Sequence, residues 1–432
     1  MDVTLIARLL EICNSRCFTL YLTRDEESMA KGEYGPAIEN AMGILVALGD
    51  IFEAERLVDI KSVHMPGSSV VVSGDAGLQF VEETCKTGAQ FRVMVTLNTG
   101  AVDFRLWKQL GLPEEVVEKQ FRLTKAYQDM GAIPLHSCCP YLCGNTPRPN
   151  EQVAWGESSA VVFANSVLGA RANREGGPSA LASAITGKSP MYGYRLDRNR
   201  RSTHVIRIDA DLKSITDYGA LGYCVGKIVK DGVPLFIGMR DPSVDELKML
   251  GAALASSGAV ALFHVDGVTP EADSISRYLK EDKPQEIEIG QKQVDEAYHL
   301  LSKAMEKPVD VVCVGCPHCS IQEIAEAARL LKGKRVDSHV AFWICTSSPV
   351  KALADRMGLS QAIEEAGALL VQDTCPVLAP MKEVAPKLGY RTVATNSAKL
   401  ANYAPGQCKL MPHFGTLEDC LNSAISGMWR EE

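Results

Sequence analysis

Residues 310–320 read DVVCVGCPHCS and place Cys313, Cys316 and Cys319 within seven positions of a 432-residue chain that has 14 cysteines. The stretch admits three readings: a metal site, a disulfide knot, or a buried strand that uses cysteine. VDVVCVG is an apolar run of strand length. Beyond CPHC, Ser320 and Glu323 form a capping box that opens the helix IQEIAEAARLL. The plan then recurs. HVAFWIC (339–345) ends on Cys345, with Ser348 as N-cap, Pro349 at the first helical position and a helix to Met357 before Gly358. ALLVQD (368–373) leads to Cys375 and PMKEVAPKLG, where Pro386 shortens or kinks the helix. Cys316, Cys345 and Cys375 are therefore 29 and 30 residues apart, one βα period each. A fourth unit, YRTVATN then SAKLANYAPG, places Asn396, Ser397 and Lys399 at the equivalent turn.

In an open parallel sheet the carboxyl ends of the strands line one edge, where ligands bind. Cysteines from successive units converge there although the sequence separates them. Cys313, inside the strand, reads as a core thiol. Cys319, beside the helix cap, is a ligand or a bystander, and Cys316 stands at the strand end. A structural zinc site wants four N or S ligands; His318 is at hand, but no further Cys-x₂-Cys pair accompanies it. Three thiolates on a sheet edge suit an iron–sulfur cluster that leaves one iron open as a Lewis acid.

The opening MDVTLIARLLEICNSRC lacks the basic start and cleavage site of a secretory signal, so the expected compartment is the cytoplasm, where thiols stay reduced. Apolar runs such as AVALF (259–263) are too short to span a membrane. With 23% charged and 46% hydrophobic residues the composition is that of a globular protein, and the length asks for two or three domains. A net charge of −8 argues against a nucleic-acid surface. RLDRNRR (195–201) is a basic exception that reads as a solvated turn.

YGPAIENAMGILVALGDIF patterns as a helix, and SSVVVSGD and QFRVMVTLN as β-rich runs. The Gly- and Ser-rich block at 156–190 permits either close backbone approach to a ligand or tight helix packing. From Thr203 to Val265, the strand-like runs HVIRID, YCVGKIVK, PLFIGM and AVALFHV surround a helical DELKMLGAALASSG. EDKPQEIEIGQ (281–291) reads as a boundary. The expected division is an extension over 1–20, an α/β domain over 21–202, a small α/β domain over 203–290, and the cysteine-bearing α/β domain over 291–432.

GEYGPAIENAMGILVALGDI, SGDAGLQF, TLNTGAVD, CPYLCGNTPRPNEQVAWGESSAVVFANSVLGARANREGGPSA, VGCPHCS, WICTSS, DTCPV and ATNSAKLANYAPG together resemble the aconitase superfamily, specifically the large subunit of the aconitase X family. The resemblance covers most of residues 21–408. It implies an aconitase-like multi-domain α/β/α architecture and a hydro-lyase whose iron–sulfur cluster, expected as [4Fe-4S], is held by Cys316, Cys345 and Cys375. Aconitase has a Cys-Gly-Pro-Cys pair where this chain has CPVL, so Leu378 replaces one thiolate and the cluster type is open. The resemblance also implies a separate small subunit, bearing the swivelling domain and the catalytic serine base that this chain is expected to lack. Two substrates belong to the family. The expected one is (R)-5-phosphomevalonate, dehydrated to trans-anhydromevalonate 5-phosphate; the alternative is cis-3-hydroxy-L-proline. A reading of another class is a non-catalytic iron–sulfur protein that senses redox state or binds RNA.

Removing a proton α to a carboxylate and expelling hydroxide needs a base, a Lewis acid and anchors for anionic groups. Arg171, Arg174 and Lys399 are the candidate anchors for carboxylate or phosphate, and Asn98, Asn173 and Ser397 the candidates to orient oxygens. Glu157 and Ser158 either contact substrate and relay protons or cap a helix. Gly74, Asp75 and Gly77 read as a substrate-facing turn. His136 reads as structural, and Cys138, Cys139 and Cys143 as possible ligands in a turn-like context.

Overall fold

The apolar runs that precede each cysteine do pair into one sheet. The computed structural model describes residues 20–272, 284–305 and 307–430, so the expected extension lies outside them apart from Leu20. In chain order come β1 (Leu57–Asp59), β2 (Ser62–Met65), β3 (Met94–Leu97), β4 (Ala154–Trp155) and β5 (Lys188–Pro190). They form a parallel sheet ordered β3-β2-β4 and an antiparallel pair β1-β5. Next are β6 (His204–Asp209), β7 (Pro234–Ile237), β8 (His264–Val265) and β9 (Gln285–Gly290), all parallel in the order β8-β7-β6-β9. Last are β10 (Val311–Val314), β11 (Ala341–Thr346), β12 (Leu369–Gln372), β13 (Thr392–Thr395) and β14 (Met411–Phe414). These run parallel in the order β12-β11-β10-β13-β14. The chain builds outward from β10 on one side, then returns to build on the other. The direction therefore switches between β10 and β13, where a crevice opens outside the strand ends.

Three local readings change. SSVVVSGD is helical: Val70–Lys86 is a helix kinked at Gly74, whose φ of 64° and ψ of −175° leave the helical region. Val70 is buried and its N–H donates to Gln120 Oε1, so tertiary contacts override the β preference of the valines. YCVGKIVK lies within the helix Ile215–Val229, opened by a Ser214–Asp217 capping box. Its glycines form a flat face against the helix Val244–Ser257; a Cβ on Gly222 would stand 2.5 Å from the Leu250 carbonyl oxygen. RLDRNRR is not a solvated turn throughout, because Arg195 and Arg200 are buried. Arg195 pairs with Glu175 at 3.3 Å and Arg200 with Glu271 at 2.8 Å, and both guanidinium groups also donate to carbonyl oxygens. A buried cation persists when it is paired and hydrogen-bonded; of the Arg195 nitrogens only Nε lacks a partner.

Of the expected boundary, 281–283 lie outside the described residues and 285–290 form β9, paired along its length with β6. The following helix, Gln291–Leu301, buries Val294, Ala297 and Leu301 in the core that holds Tyr218 and Leu221 of the second unit. In the third unit the Ser320–Glu323 capping box forms as read, while the next helix is capped by Ser347, one residue before Ser348. The core around the third sheet's edge is continuous with the first unit: Cys313, Cys316, Cys345 and Cys375 pack in one cluster with Val63, Met65 and Leu97.

Candidate active site

The loop that leaves β10 passes directly over β11. Gly315 has φ +96°, and a Cβ there would lie 2.2 Å from the Cys345 carbonyl oxygen, so the VGC sequence needs a glycine for both conformation and space. Beyond it, nearly every backbone group finds a partner. The Cys316 carbonyl accepts the Ser397 hydroxyl across the switch point. Cys319 N–H donates to the Cys345 carbonyl at 2.9 Å, and the Cys319 carbonyl accepts the Thr346 hydroxyl at 2.9 Å. The His318 N–H donates to Cys138 Sγ of the first unit at 3.1 Å, and its carbonyl accepts Lys248 Nζ of the second at 3.4 Å. All three units therefore hold this one loop.

The thiols differ in setting. Cys316 and Cys375 are each 5% exposed and Cys138 8%, whereas Cys313 and Cys345 are fully buried. Cys316 and Cys375 are hydrogen-bonded to each other, which, with burial, pushes the Cys316 thiol up. Cys375 is held below its usual range by the same bond and, against burial, by the N–H groups of Leu378 and Val377. Cys345 Sγ lies 3.8 Å from Cys313 Sγ, so the strand thiol is its neighbour, and that contact and burial push Cys345 up. Cys138, a thiol the sequence reading weighted lightly, is lowered to about 6 by a hydrogen bond from Cys139, against burial, with help from His318 and Lys399. Cys143 turns instead to Ser347 Oγ, 3.3 Å away.

Lys399 stands in the first turn of the helix Ala398–Gln407, capped by Ser397. Its Nζ lies 2.7 Å from Glu157 Oε1 and 3.2 Å from Ser159 Oγ. Burial opposes the charge, but Glu157 and the thiols of Cys316 and Cys138 outweigh it and keep the ammonium protonated. Glu157, despite burial, is held ionised by Lys399 and Ser159. Glu157 is also a helix cap, since its other oxygen accepts the Ala160 N–H of the helix Ser158–Ser166. Ser158 hydrogen-bonds only weakly to Glu157, at 3.5 Å. Tyr403, one turn beyond Lys399, interacts electrostatically with Lys399, Glu157, Cys316 and Arg174; its i+4 spacing from Lys399 was the sequence signal for it.

Asn98 follows β3 at the facing edge of the first unit. Asn98 Oδ1, Thr99 Oγ1 and His318 Nδ1 are buried without a hydrogen-bond partner, polar atoms that call for a ligand or ordered water. His136 is structural as read, its ring spanning the Asn98 carbonyl and Thr124 Oγ1, both at 3.2 Å.

The remaining candidates sit in other networks. Arg171 pairs with Asp197 at 2.6 Å and donates to Asn150 Oδ1 and the Arg195 carbonyl. Asn173 commits both ends of its amide to the 192–194 turn. Arg174 donates to the Ala259 carbonyl and, with Asn173, lines an open cleft of about 440 Å³ that also contains Glu53, Tyr192 and Arg198. Asp75, exposed, pairs with Lys119 at 2.8 Å, and Gly74 forms the helix kink beside it, with Gly77 in the helix beyond.

Among the described residues, no three His, Cys, Asp or Glu side chains converge on a point as ligands of a single metal ion. A polynuclear cluster asks something different, one thiolate per iron. Adjacent thiols at a crevice, one already favouring its anion, with N–H donors and an ammonium behind them, fit that donor chemistry.

Parallel α/β layers, with thiols and an ion-paired lysine gathered outside the strand ends, define an aconitase-like α/β enzyme. The chain belongs to the aconitase X family: models of that family's first, second and third domains match residues 19–198, 202–299 and 309–426. It is 46% identical to the phosphomevalonate dehydratase large subunit of Methanocaldococcus jannaschii, over 93% of this chain and 99% of that one. It is 38% identical to the cis-3-hydroxy-L-proline dehydratase of Pseudomonas aeruginosa, over 93% of this chain and 69% of that one. The crystal structure of Thermococcus kodakaraensis aconitase X in its holo-form superposes with a TM-score of 0.85 at 39% identity, covering 94% of this chain and all of that one. These relatives make the chain a hydro-lyase of the dehydratase kind.

Proposed function

We propose that the chain is the large subunit of a phosphomevalonate dehydratase, which removes water from (R)-5-phosphomevalonate to give trans-anhydromevalonate 5-phosphate. The observation that carries this reading is the grading of the relatives. Four archaeal proteins named as that large subunit are 40–47% identical over 89–95% of the chain, and a fifth, from Aeropyrum pernix, is 34% identical over 89%. The hydroxyproline dehydratases are 34–38% identical, and the match spans 69% of their length.

The cofactor in this reading is an iron–sulfur cluster of the [4Fe-4S] type, held by Cys316 and Cys375 with Cys345 as the third thiolate and Cys138 close by. When bound, such a cluster supplies a Lewis acid that eases departure of hydroxide. Loading requires the proton on Cys316 Sγ to leave. Lys399 binds an anionic oxygen of the substrate, and Glu157 keeps that ammonium charged and aimed. Asn98 Oδ1 accepts from a substrate hydroxyl. Ser397 acts through its bond to the Cys316 carbonyl. Arg174, at the open cleft, is the candidate for the phosphate end, while Arg171 and Asn173 support the walls. The base that takes the α-proton is a serine of a small partner subunit, and the complex works in the cytoplasm; no helix among the described residues is long and apolar enough to cross a membrane.

Anaerobic turnover with the small subunit, offering phosphomevalonate and cis-3-hydroxyproline in parallel, tests the reading. Dehydration of the phosphate ester alone supports it. Dehydration of the imino acid alone replaces it with the alternative, and turnover of neither, with tight salt-sensitive RNA binding, moves the protein to the non-catalytic class.

A further inference from the structure

Lys248 is a lysine buried to 1% side-chain exposure, far in sequence from every residue assigned above. It projects from the helix Val244–Ser257 of the second unit. Its ammonium forms ion pairs with Asp245, at 2.9 Å, and with Glu323 of the third unit, and reaches the His318 carbonyl at 3.4 Å. Ser320 closes the network by donating its hydroxyl to Asp245 Oδ2 at 2.7 Å. Glu323 and Ser320 are the two halves of the capping box that ends the CPHC loop.

Burying an ammonium and two carboxylates is expensive, and apolar residues of the same volume would often stabilise a helix interface as well or better. Such a network earns its place when it fixes one geometry. Here it fixes a loop that, among the described residues, no other side-chain network of the second unit holds. The His318 peptide is gripped at its N–H by Cys138 and at its carbonyl by Lys248, two residues beyond Cys316. We infer that Lys248 is a positioning residue: through Glu323, Ser320 and the His318 carbonyl it holds the Cys316 loop in the geometry that receives the metal group, and so gives the second unit a part in the site. The inference rests on the reading of Cys316 as a cluster ligand.

The test uses the full chain with its small subunit and three variants: Lys248→Met, Glu323→Gln and Lys248→Arg. Glu323→Gln is the milder one, since glutamine also completes a capping box and only the Glu323 ion pair is lost, the Lys248–Asp245 pair remaining. The first readout is the rate at which Cys316 is alkylated by iodoacetamide in metal-free protein, followed residue by residue by mass spectrometry. Lys248→Met and Glu323→Gln are expected to speed Cys316 about tenfold, as for a freed local opening, with Cys408 unchanged; Lys248→Arg restores most of the protection. The second readout is iron retained by the loaded protein during timed exposure to air, expected to fall several-fold sooner in the same two variants. Wild-type alkylation of Cys316 in a folded Glu323→Gln protein overturns the inference. A wild-type protein that binds no iron overturns the cluster reading instead, and the alkylation rates still decide whether Lys248 positions the loop.

Discussion

Lys399 Nζ and Glu157 Oε1 lie 2.7 Å apart although 242 residues separate them in the chain. They join the helix after β13 to the helix that opens the small-residue block, and both side chains are about nine-tenths buried. A buried pair of this kind adds little net stability yet is costly to break from one side. Lys399→Met leaves Glu157 charged and alone, and is expected to cost roughly 3–5 kcal/mol in urea unfolding and to abolish anaerobic turnover. Glu157→Gln keeps the cap and a hydrogen bond, so it should fold and show mainly a raised KM. Full activity in a folded Lys399→Met protein would remove the lysine from the site.

The cysteines separate by role. Serine at Cys316, Cys345 or Cys375 is expected to deplete iron and acid-labile sulfide in protein purified without air. Cys313→Ser should keep the iron and instead lose about 1–3 kcal/mol of stability, since it buries a hydroxyl inside β10. Metal analysis beside denaturant titration checks both. A full cluster in any of the first three variants refutes that ligand.

Gly315→Ala tests the crossing of the two strands. The substitution forces an L side chain to φ +96° and drives its Cβ into the Cys345 carbonyl. A loss of about 3 kcal/mol or more is expected, together with loss of iron binding. Gly333→Ala, also at positive φ but with open space around it, should cost less, about 1 kcal/mol.

Burial holds the imidazoles of His64, His136 and His264 neutral, each lowered to about 4 from an ordinary 6.5. Between those values the unfolded chain binds protons that the folded chain does not. Stability is therefore unaffected by these groups above about pH 6.5 and falls as the pH drops toward 4, by up to about 1.4 kcal/mol per unit for each histidine. Urea titrations at pH 7.5, 6.0 and 5.0 should show the decline. His264→Gln, which replaces a ring bonded to the Arg200 carbonyl, should flatten the slope by one histidine's share; an unchanged slope would mean that His264 is protonated in the fold.

What could be read from the sequence was what local chemistry encodes. The three cysteine-bearing βα units, the Ser320–Glu323 box and the Ser397 cap all follow from residues within a few positions of one another. The strand β14 escaped because its four residues, MPHF, carry neither alternation nor a β-branched run. The Ser214–Asp217 box that starts the helix Ile215–Val229 was missed, because the β-branched residues near the helix end read as a strand. The contacts of Lys248 and Cys138 with His318 were not legible, because they reach across 70 and 180 positions. Arg195 and Arg200 sit in a run whose charge suggests solvent, and only the distant carboxylates and carbonyl oxygens that receive them explain their burial.

The grip on the His318 peptide also orders events in the making of the protein. Its holders, Cys138, Cys139 and Lys248, come from earlier parts of the chain, and the switch-point partner, Ser397, comes near the end. A nascent chain can assemble β10 and its neighbours from nearby residues, but the loop that carries Cys316 is not fastened until all three units have docked. Contacts of such long range form late. The fastening of the loop that carries Cys316 is therefore a property of the finished assembly.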